Sequence, residues 1–334
     1  MRSKTIIRAG ALLAIFVVPW QGLAQERGAN ASETSSGNSA IAKALETEAY
    51  LTPPNLIADF INAPRHKNHT LSNLSPDGSK FLISESSGMT GVDQMGKAWH
   101  NLAGIQIDPA ANRSRSLTTG TGIGFTLLDW KTEKRISIEV PKDARVGSPV
   151  WSPDGSKIAY LVHRENASYL AVADTASGKS KVFDRNPLLA TQVTRPEWSA
   201  DGKSLFAVYV PEKRGPEPKR NGIATQPLVR IAESGSNRTR TYRNLLENAN
   251  DQVVLEYFLT GQLAKVDAGS GRLTNIGEPR MYRSIDPAPS GMHVRVTTTM
   301  KPFSYVVPAS SFGSLEEVVD LTGKPLIEIA KRPL

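Results

Sequence analysis

The chain contains no cysteine. No disulfide can hold it together, so its fold rests on burial and on ladder hydrogen bonds. It also lacks any long heptad or helical periodicity, which argues against a coiled coil or a helix bundle. Its longest apolar stretch, Ala9–Val18, is too short for a membrane-spanning helix. The net charge of +8 comes from scattered basic residues, and no recognisable nucleic-acid module accompanies them. That charge reads as a solvated basic surface with no nucleic-acid partner. What the sequence has in quantity is turn chemistry: 22 prolines and 26 glycines over 334 residues favour an all-β protein with many reversals.

Those turns repeat. Ser-Pro-Asp-Gly stands at Ser75–Gly78 and Ser152–Gly155, with altered copies at Ser199–Gly202 (Ser-Ala-Asp-Gly) and Ala288–Gly291 (Ala-Pro-Ser-Gly). Pro presets the backbone of a tight turn, and Asp and Gly suit the positions after it. An apolar run follows each copy, as in Lys157-Ile-Ala-Tyr160 and Ser204-Leu-Phe-Ala-Val208. A second signal interleaves with the first: Asp108, Asp129, Asp174, Asp267 and Asp320 each close an apolar run, and a short turn leads into another. Asp and Gly between alternating strands give a hairpin. One unit is thus a turn, a strand and a hairpin, with room for a further strand. The interval from Ser152 to Ser199 matches the roughly 40–50 residues of a four-stranded propeller blade, and the other two intervals are near twice that. The fold expected is an all-β, partial β-propeller of about four antiparallel four-stranded blades, an arc of a larger propeller.

The first residues read as a secretory signal over 1–24. Arg2, Lys4 and Arg8 precede the apolar stretch, and Gly22-Leu-Ala24 supplies a small-residue cleavage site. The expected location is the periplasm or the outside of the cell, with no membrane attachment after cleavage. Residues 25–49 are a flexible Ser-, Asn- and Gly-rich leader, and the propeller region is expected over 50–334, with a helical turn at Asn55–Asn62. Within it, 211–262 breaks the blade rhythm. Pro211–Gly222 is too rich in Pro and charge for a strand interior, and Asn244–Phe258 has the apolar positions of a helix.

Several segments, in order, resemble glutamyl-endopeptidase-like members of the prolyl oligopeptidase family. They are Tyr50-Leu-Thr-Pro-Pro-Asn-Leu-Ile-Ala-Asp59, Leu102-Ala-Gly-Ile-Gln-Ile-Asp-Pro109, Arg240-Thr-Tyr-Arg-Asn-Leu-Leu246 and, most specific, Lys301-Pro-Phe-Ser-Tyr-Val-Val-Pro308. The resemblance implies an N-terminal propeller that caps a separate α/β-hydrolase domain carrying a Ser-Asp-His triad. The chain contains no Gly-x-Ser-x-Gly, the spacing that lets backbone approach an exposed nucleophile. The expectation is therefore a non-catalytic, substrate-gating part of an exported serine-type peptidase, reaching peptide through a catalytic domain outside this chain. The alternatives are a stand-alone periplasmic binding or scaffold propeller, and an inactive relic.

No cofactor or metal is expected. His66 and His69 stand in a polar stretch without a third ligand nearby, and His100, His163 and His293 are isolated. Glu316-Glu317 reads as a solvated turn and Gly120-Thr-Gly-Ile-Gly124 as a loop between strands, since it lacks the Lys-Ser/Thr of a phosphate loop. Trp151 and Trp198, each just before a turn, read as aromatic wedges between blades. Insertions in repeat folds often carry binding function, so Arg214, Lys219 and Arg220 are the candidate contacts for an acidic peptide. An open arc would leave an apolar blade face and unpaired edges, a route to self-association.

Overall fold

The computed structural model describes residues 53–62, 68–219 and 241–334, together with Lys43. The expected signal, most of the leader and Arg220 lie outside the described residues. The chain divides into two compact units, residues 1–64 and 65–334. In the first, the described element is the expected helix, α1 (Asn55–Asn62).

The second unit is built from four antiparallel sheets of four strands, in chain order. Blade one contains β1 (Asn68–Leu74), β2 (Lys80–Ser86), β6 (Gly122–Asp129) and β7 (Arg135–Ser137). Blade two contains β8 (Arg145–Trp151), β9 (Lys157–His163), β10 (Ser168–Asp174) and β11 (Ser180–Phe183). Blade three contains β12 (Glu197–Trp198), β13 (Ser204–Tyr209), β14 (Thr260–Asp267) and β15 (Leu273–Asn275). Blade four contains β16 (Arg280–Pro287), β17 (His293–Thr299), β18 (Ser314–Asp320) and β19 (Pro325–Arg332). Blades three and four join where Thr260 and Gly261 of β14 pair with Met281 and Arg280 of β16. Among the described residues, no strand pairing links the first blade to the last.

The repeated turns lie where the sequence puts them, between the first and second strands of each blade. In the three better copies the serine hydroxyl donates to the aspartate, 2.6 Å for Ser75–Asp77, 2.6 Å for Ser152–Asp154 and 2.5 Å for Ser199–Asp201. The same hydroxyl accepts the first strand amide, from Lys80 at 2.9 Å, Lys157 at 2.9 Å and Ser204 at 3.0 Å. Gly78, Gly155 and Gly202 take φ of +70°, +70° and +64°, a region that side chains disfavour. In the fourth copy Ala288 has no hydroxyl, and the turn is closed by the backbone bonds from Gly291 N to Ala288 O, 2.8 Å, and from Ala288 N to His293 O, 2.9 Å, with Met292 N donating to Ser290 Oγ at 3.3 Å. The second signal is equally local. Asp129, Asp174, Asp267 and Asp320 accept the backbone N–H of Thr132, Ser177, Ser270 and Thr322 at 2.7–2.9 Å. Side-chain hydrogen bonds from Ser177, Ser270 and Thr322, and the Thr132 backbone bond at Asp129, are the chief causes that hold these carboxyls below the usual range.

Strand alternation supplies the packing between blades. On β9, Ile158, Tyr160 and Val162 face Leu82, Phe125 and Leu127 of blade one. Between them, Ala159 and Leu161 face Leu205, Ala207 and Val266 of blade three. Phe206, Val208 and Leu263 of blade three then meet Val294, Val296 and Val319 of blade four. Each large apolar side chain so buried contributes about 1.5–3 kcal/mol. Trp151 and Trp198 are the expected wedges. Both are buried, and each indole N–H donates to backbone of the preceding blade, Asn73 O and Val150 O, at 3.0 Å.

Four strands running alternately up and down put the Ser-Pro-Asp-Gly turns and the Asp hairpins at one end of the unit. The connection between second and third strands falls at the other. There blade one inserts α2 (Val92–Met95), a three-stranded sheet of β3 (His100–Leu102), β4 (Ile105–Asp108) and β5 (Arg113–Ser114), and α3 (Arg115–Thr118). Blade three inserts the segment that holds α4 (Ala249–Leu259), and blade four inserts 300–313 with a 3-10 turn at Ala309–Ser311. These two long insertions in blades one and three explain the doubled turn intervals.

Several expectations need correction. Helix occurs in α2, α3 and Ala309–Ser311 as well as in the blade-three insertion. The helix over 244–258 begins only at Ala249, because Asn248 caps it by accepting Asp251 N at 2.9 Å. Along it Val253 is exposed, whereas Val254, Leu255, Phe258 and Leu259 are buried. Gly122 and Gly124 lie inside β6 rather than in a loop. Glu316 and Glu317 are in β18, where buried Glu317 pairs with Arg280. Strand pairing resumes at Thr260, so the end of the 211–262 segment belongs to β14. The outward face of blade four carries charge where an apolar face was expected: Arg295 pairs with Asp286 at 2.8 Å and with Glu316 at 3.8 Å, and Arg332 reaches Glu316 at 3.6 Å. The adjoining β19 is mixed, with Leu326, Ile327 and Ile329 exposed.

Candidate functional site

The insertion-bearing end concentrates the features that go beyond packing of blades. Its apolar floor is assembled from all three insertions: Leu102 and Ile107 from blade one, Val254 and Phe258 from α4, Phe303 and Phe312 from blade four. Arg283 ties the last of these down, donating to Ala309 O at 2.7 Å and Phe312 O at 3.1 Å. Lys301 and Glu256 add an ion pair of 2.6 Å between the blade-four insertion and α4.

Between blades one and two the same end opens into a cavity of about 350 Å³. Lys97, Arg113, Lys142, Arg145 and Arg164 line it, against Asp143 and Glu165. Its base is a buried polar network. Arg113 is fully buried and donates through Nε to Thr118 Oγ1 at 2.8 Å and through Nη1 to Arg164 O at 2.8 Å. Asp108 supplies the counter-charge, 3.4 Å from Nη2, and accepts the Thr118 hydroxyl at 2.5 Å. Asp108 thus departs from the other four aspartates of its sequence class: it is buried in an inserted sheet and holds an arginine.

His163 belongs to this network. Its Nδ1 lies 2.8 Å from the hydroxyl of fully buried Ser168. The pair is not arranged for nucleophilic chemistry. Burial first, and the Arg113 cation second, push the imidazole pKa down to about 3, so it is a poor proton acceptor at neutral pH. Its Nε2 is buried with no hydrogen-bond partner, as is Nε of Arg164.

Arg214 and Lys219, the candidate peptide contacts among the described residues, are not part of that cavity's lining. Arg214 is half-buried and engaged internally: Nη2 donates to Asn112 Oδ1 at 2.5 Å, and the guanidinium lies 4.1 Å over the Tyr257 ring. Tyr257 in turn donates to Gly215 O at 3.0 Å. Lys219 is exposed, and its carbonyl accepts from Asn250 Nδ2 at 3.1 Å. Sequence reading missed the Asp108–Arg113 pair and the cations around it. The signal available was Lys142-Asp-Ala-Arg145, a charged run entering a strand, and an Asp and Arg bracketing one hairpin. Among the described residues, no group of three or more His, Asp or Glu side chains is placed to hold a metal ion.

No protein-family model matches the chain. Two curated plant proteins, both named probable glutamyl endopeptidase, chloroplastic, are similar to it. The one from Oryza sativa subsp. japonica is 26% identical over 296 residues, covering 85% of this chain and 31% of the relative. The one from Arabidopsis thaliana is 28% identical over 319 residues, covering 90% and 33%. Among solved structures, an acylaminoacyl peptidase from Pyrococcus horikoshii aligns with a TM-score of 0.43 at 16% identity, over 79% of this chain and 33% of that one. The class indicated is a peptidase-related propeller. The chain is a homologue of proteins named glutamyl endopeptidase, in agreement with the resemblance of its segments, and it spans about a third of their length.

Proposed function

We propose that this chain is the propeller region of an exported serine-type peptidase similar to the glutamyl endopeptidases, and that its insertion-bearing end gates peptide access to a catalytic domain. The observation that carries this reading is the segregation of the two ends. All three insertions leave from one end and share an apolar floor, whereas the opposite end consists of tight turns. Insertions gathered on one face of a repeat fold commonly form its binding surface. Exposed Lys219 and the cavity's cations would favour acidic peptides, which fits the name glutamyl endopeptidase that the relatives carry. A secretory signal over 1–24 would carry the protein out of the cytoplasm.

The experiment is to express the chain alone and together with the reading frame that follows Leu334. The longer product should cleave a peptide after glutamate and take up a fluorophosphonate probe at a serine outside residues 1–334. The chain alone should do neither. Probe labelling of a serine within it, or a longer product that neither cleaves nor labels, overturns the proposal. A second reading, a stand-alone binding propeller, draws on the ion-paired outward face of blade four, which is suited to water.

A further inference from the structure

We propose that the cavity between blades one and two binds a small oxyanion, a phosphate or the carboxylate groups of a small acid. This does not rest on the peptidase reading. Charge is the first argument. Lys97 is paired with Glu165 at 2.8 Å, Arg113 with Asp108, and Arg164 loosely with Asp184 at 3.7 Å. Lys142 and Arg145 form no ion pair among the described residues, and Asp143 is the one unpaired acid in the lining. Arg145 donates to the Ser87 hydroxyl at 3.4 Å and lies within electrostatic reach of Asp93, with no ion pair closer than 4 Å. The lining therefore keeps two cations outside ion pairs against the single such acid, Asp143, with donors to spare.

The second argument is independent and concerns unsatisfied donors. Buried polar atoms in native proteins nearly always have partners. Here two that lack one, His163 Nε2 and Arg164 Nε, belong to residues lining the same cavity. His163 is only 6% exposed, so water reaches it poorly. Its tautomer follows from its neighbours. Arg113 Nη1 approaches Ser168 Oγ at 3.5 Å as a donor, leaving the hydroxyl proton to point at His163 Nδ1. The ring proton then sits on Nε2, making it a second orphan donor beside Arg164 Nε. Two orphan donors in a cavity that two cations outside ion pairs also line call for an acceptor rich in lone pairs and negative charge, and an oxyanion is that acceptor.

The test uses the whole chain. Phosphate and citrate are titrated separately by calorimetry at constant ionic strength, with chloride as the control. In parallel, the imidazole nitrogens of ¹⁵N-histidine-labelled protein are followed by NMR. Saturable binding of either oxyanion is expected, together with a shift of the His163 Nε2 resonance, and the tighter of the two identifies the source of the chemistry. Lys142→Met with Arg145→Met should weaken binding at least tenfold, whereas Lys134→Met with Lys203→Met, exposed at the turn end, should leave it unchanged. No saturable binding of either anion, or equal weakening by both pairs of substitutions, overturns the proposal.

Discussion

At the scale of single residues, the Arg113 network and His163 make the sharpest claims. Replacing Arg113 with Met leaves Asp108 buried without its cation, which should cost about 3–5 kcal/mol by urea unfolding. Thr118→Val removes the hydroxyl shared by the same two groups and should cost about 1–3 kcal/mol. The pH dependence of His163 has a definite sign. Its folded pKa of about 3 lies below the ordinary value of about 6.5, so the unfolded chain takes up the proton first as pH falls. Stability from this group is complete above pH 6.5 and is lost as pH drops towards 3, by up to about 1.4 kcal/mol per pH unit. Urea midpoints compared between pH 7 and pH 5, above most carboxylate titration, should show that slope, and His163→Asn should flatten it. An unchanged slope in the variant would assign the pH dependence elsewhere.

At the scale of the element, the turn is the unit that the sequence spelled out and the structure explains. Ser152 serves as donor to Asp154 and acceptor for Lys157 N while fully buried, so Ser152→Ala should cost about 1–3 kcal/mol. The degraded fourth copy offers the converse experiment. Ala288→Ser with Ser290→Asp rebuilds the hydroxyl–carboxylate pair of the other three and should stabilise by about 1 kcal/mol, read as a raised midpoint of thermal unfolding. This is why the blades were legible: each is punctuated by side chains that bond to backbone within five residues, and local chemistry of that kind is written in sequence. The inserted elements were not. Asp108 looked like a fifth hairpin aspartate, and only the partner Arg113 and burial in a separate sheet distinguish it. The boundaries of α4 were misjudged for a related reason, since Leu245 and Leu246 are apolar and buried yet precede the cap at Asn248.

At the scale of the molecule, charge and edges govern behaviour. Edge strand β19 exposes Leu326, Ile327 and Ile329 beside an ion-paired face, and unpaired strand edges invite pairing with another chain. Sedimentation of the isolated chain should therefore show concentration-dependent association, and Ile327→Lys should suppress it. Association unaffected by that change would place the contact on another surface. The candidate site was only partly readable at this scale. The sequence pointed to the blade-three insertion as the place for recognition, and the structure draws Arg214 inward onto Tyr257. The cavity next door depends on residues from 87 to 165 meeting in space, a conjunction that no local pattern announces.

The cavity also has a purely spatial origin. Blades one, three and four send long connections out of their common end, but blade two returns directly through Arg164–Ala167, closed by the bond from Arg164 N to Ala167 O at 2.9 Å. The hollow is the room that a fourth insertion would occupy. Lengthening a surface loop is cheap, about 0.6 kcal/mol for each doubling. A Gly/Ser stretch spliced between Glu165 and Asn166 should therefore plug the hollow like a stopper, with every cation of the lining retained. Whether such a site is open or shut would then be decided by the length of one hairpin, a quantity that can change by insertion or deletion without altering a single charged residue.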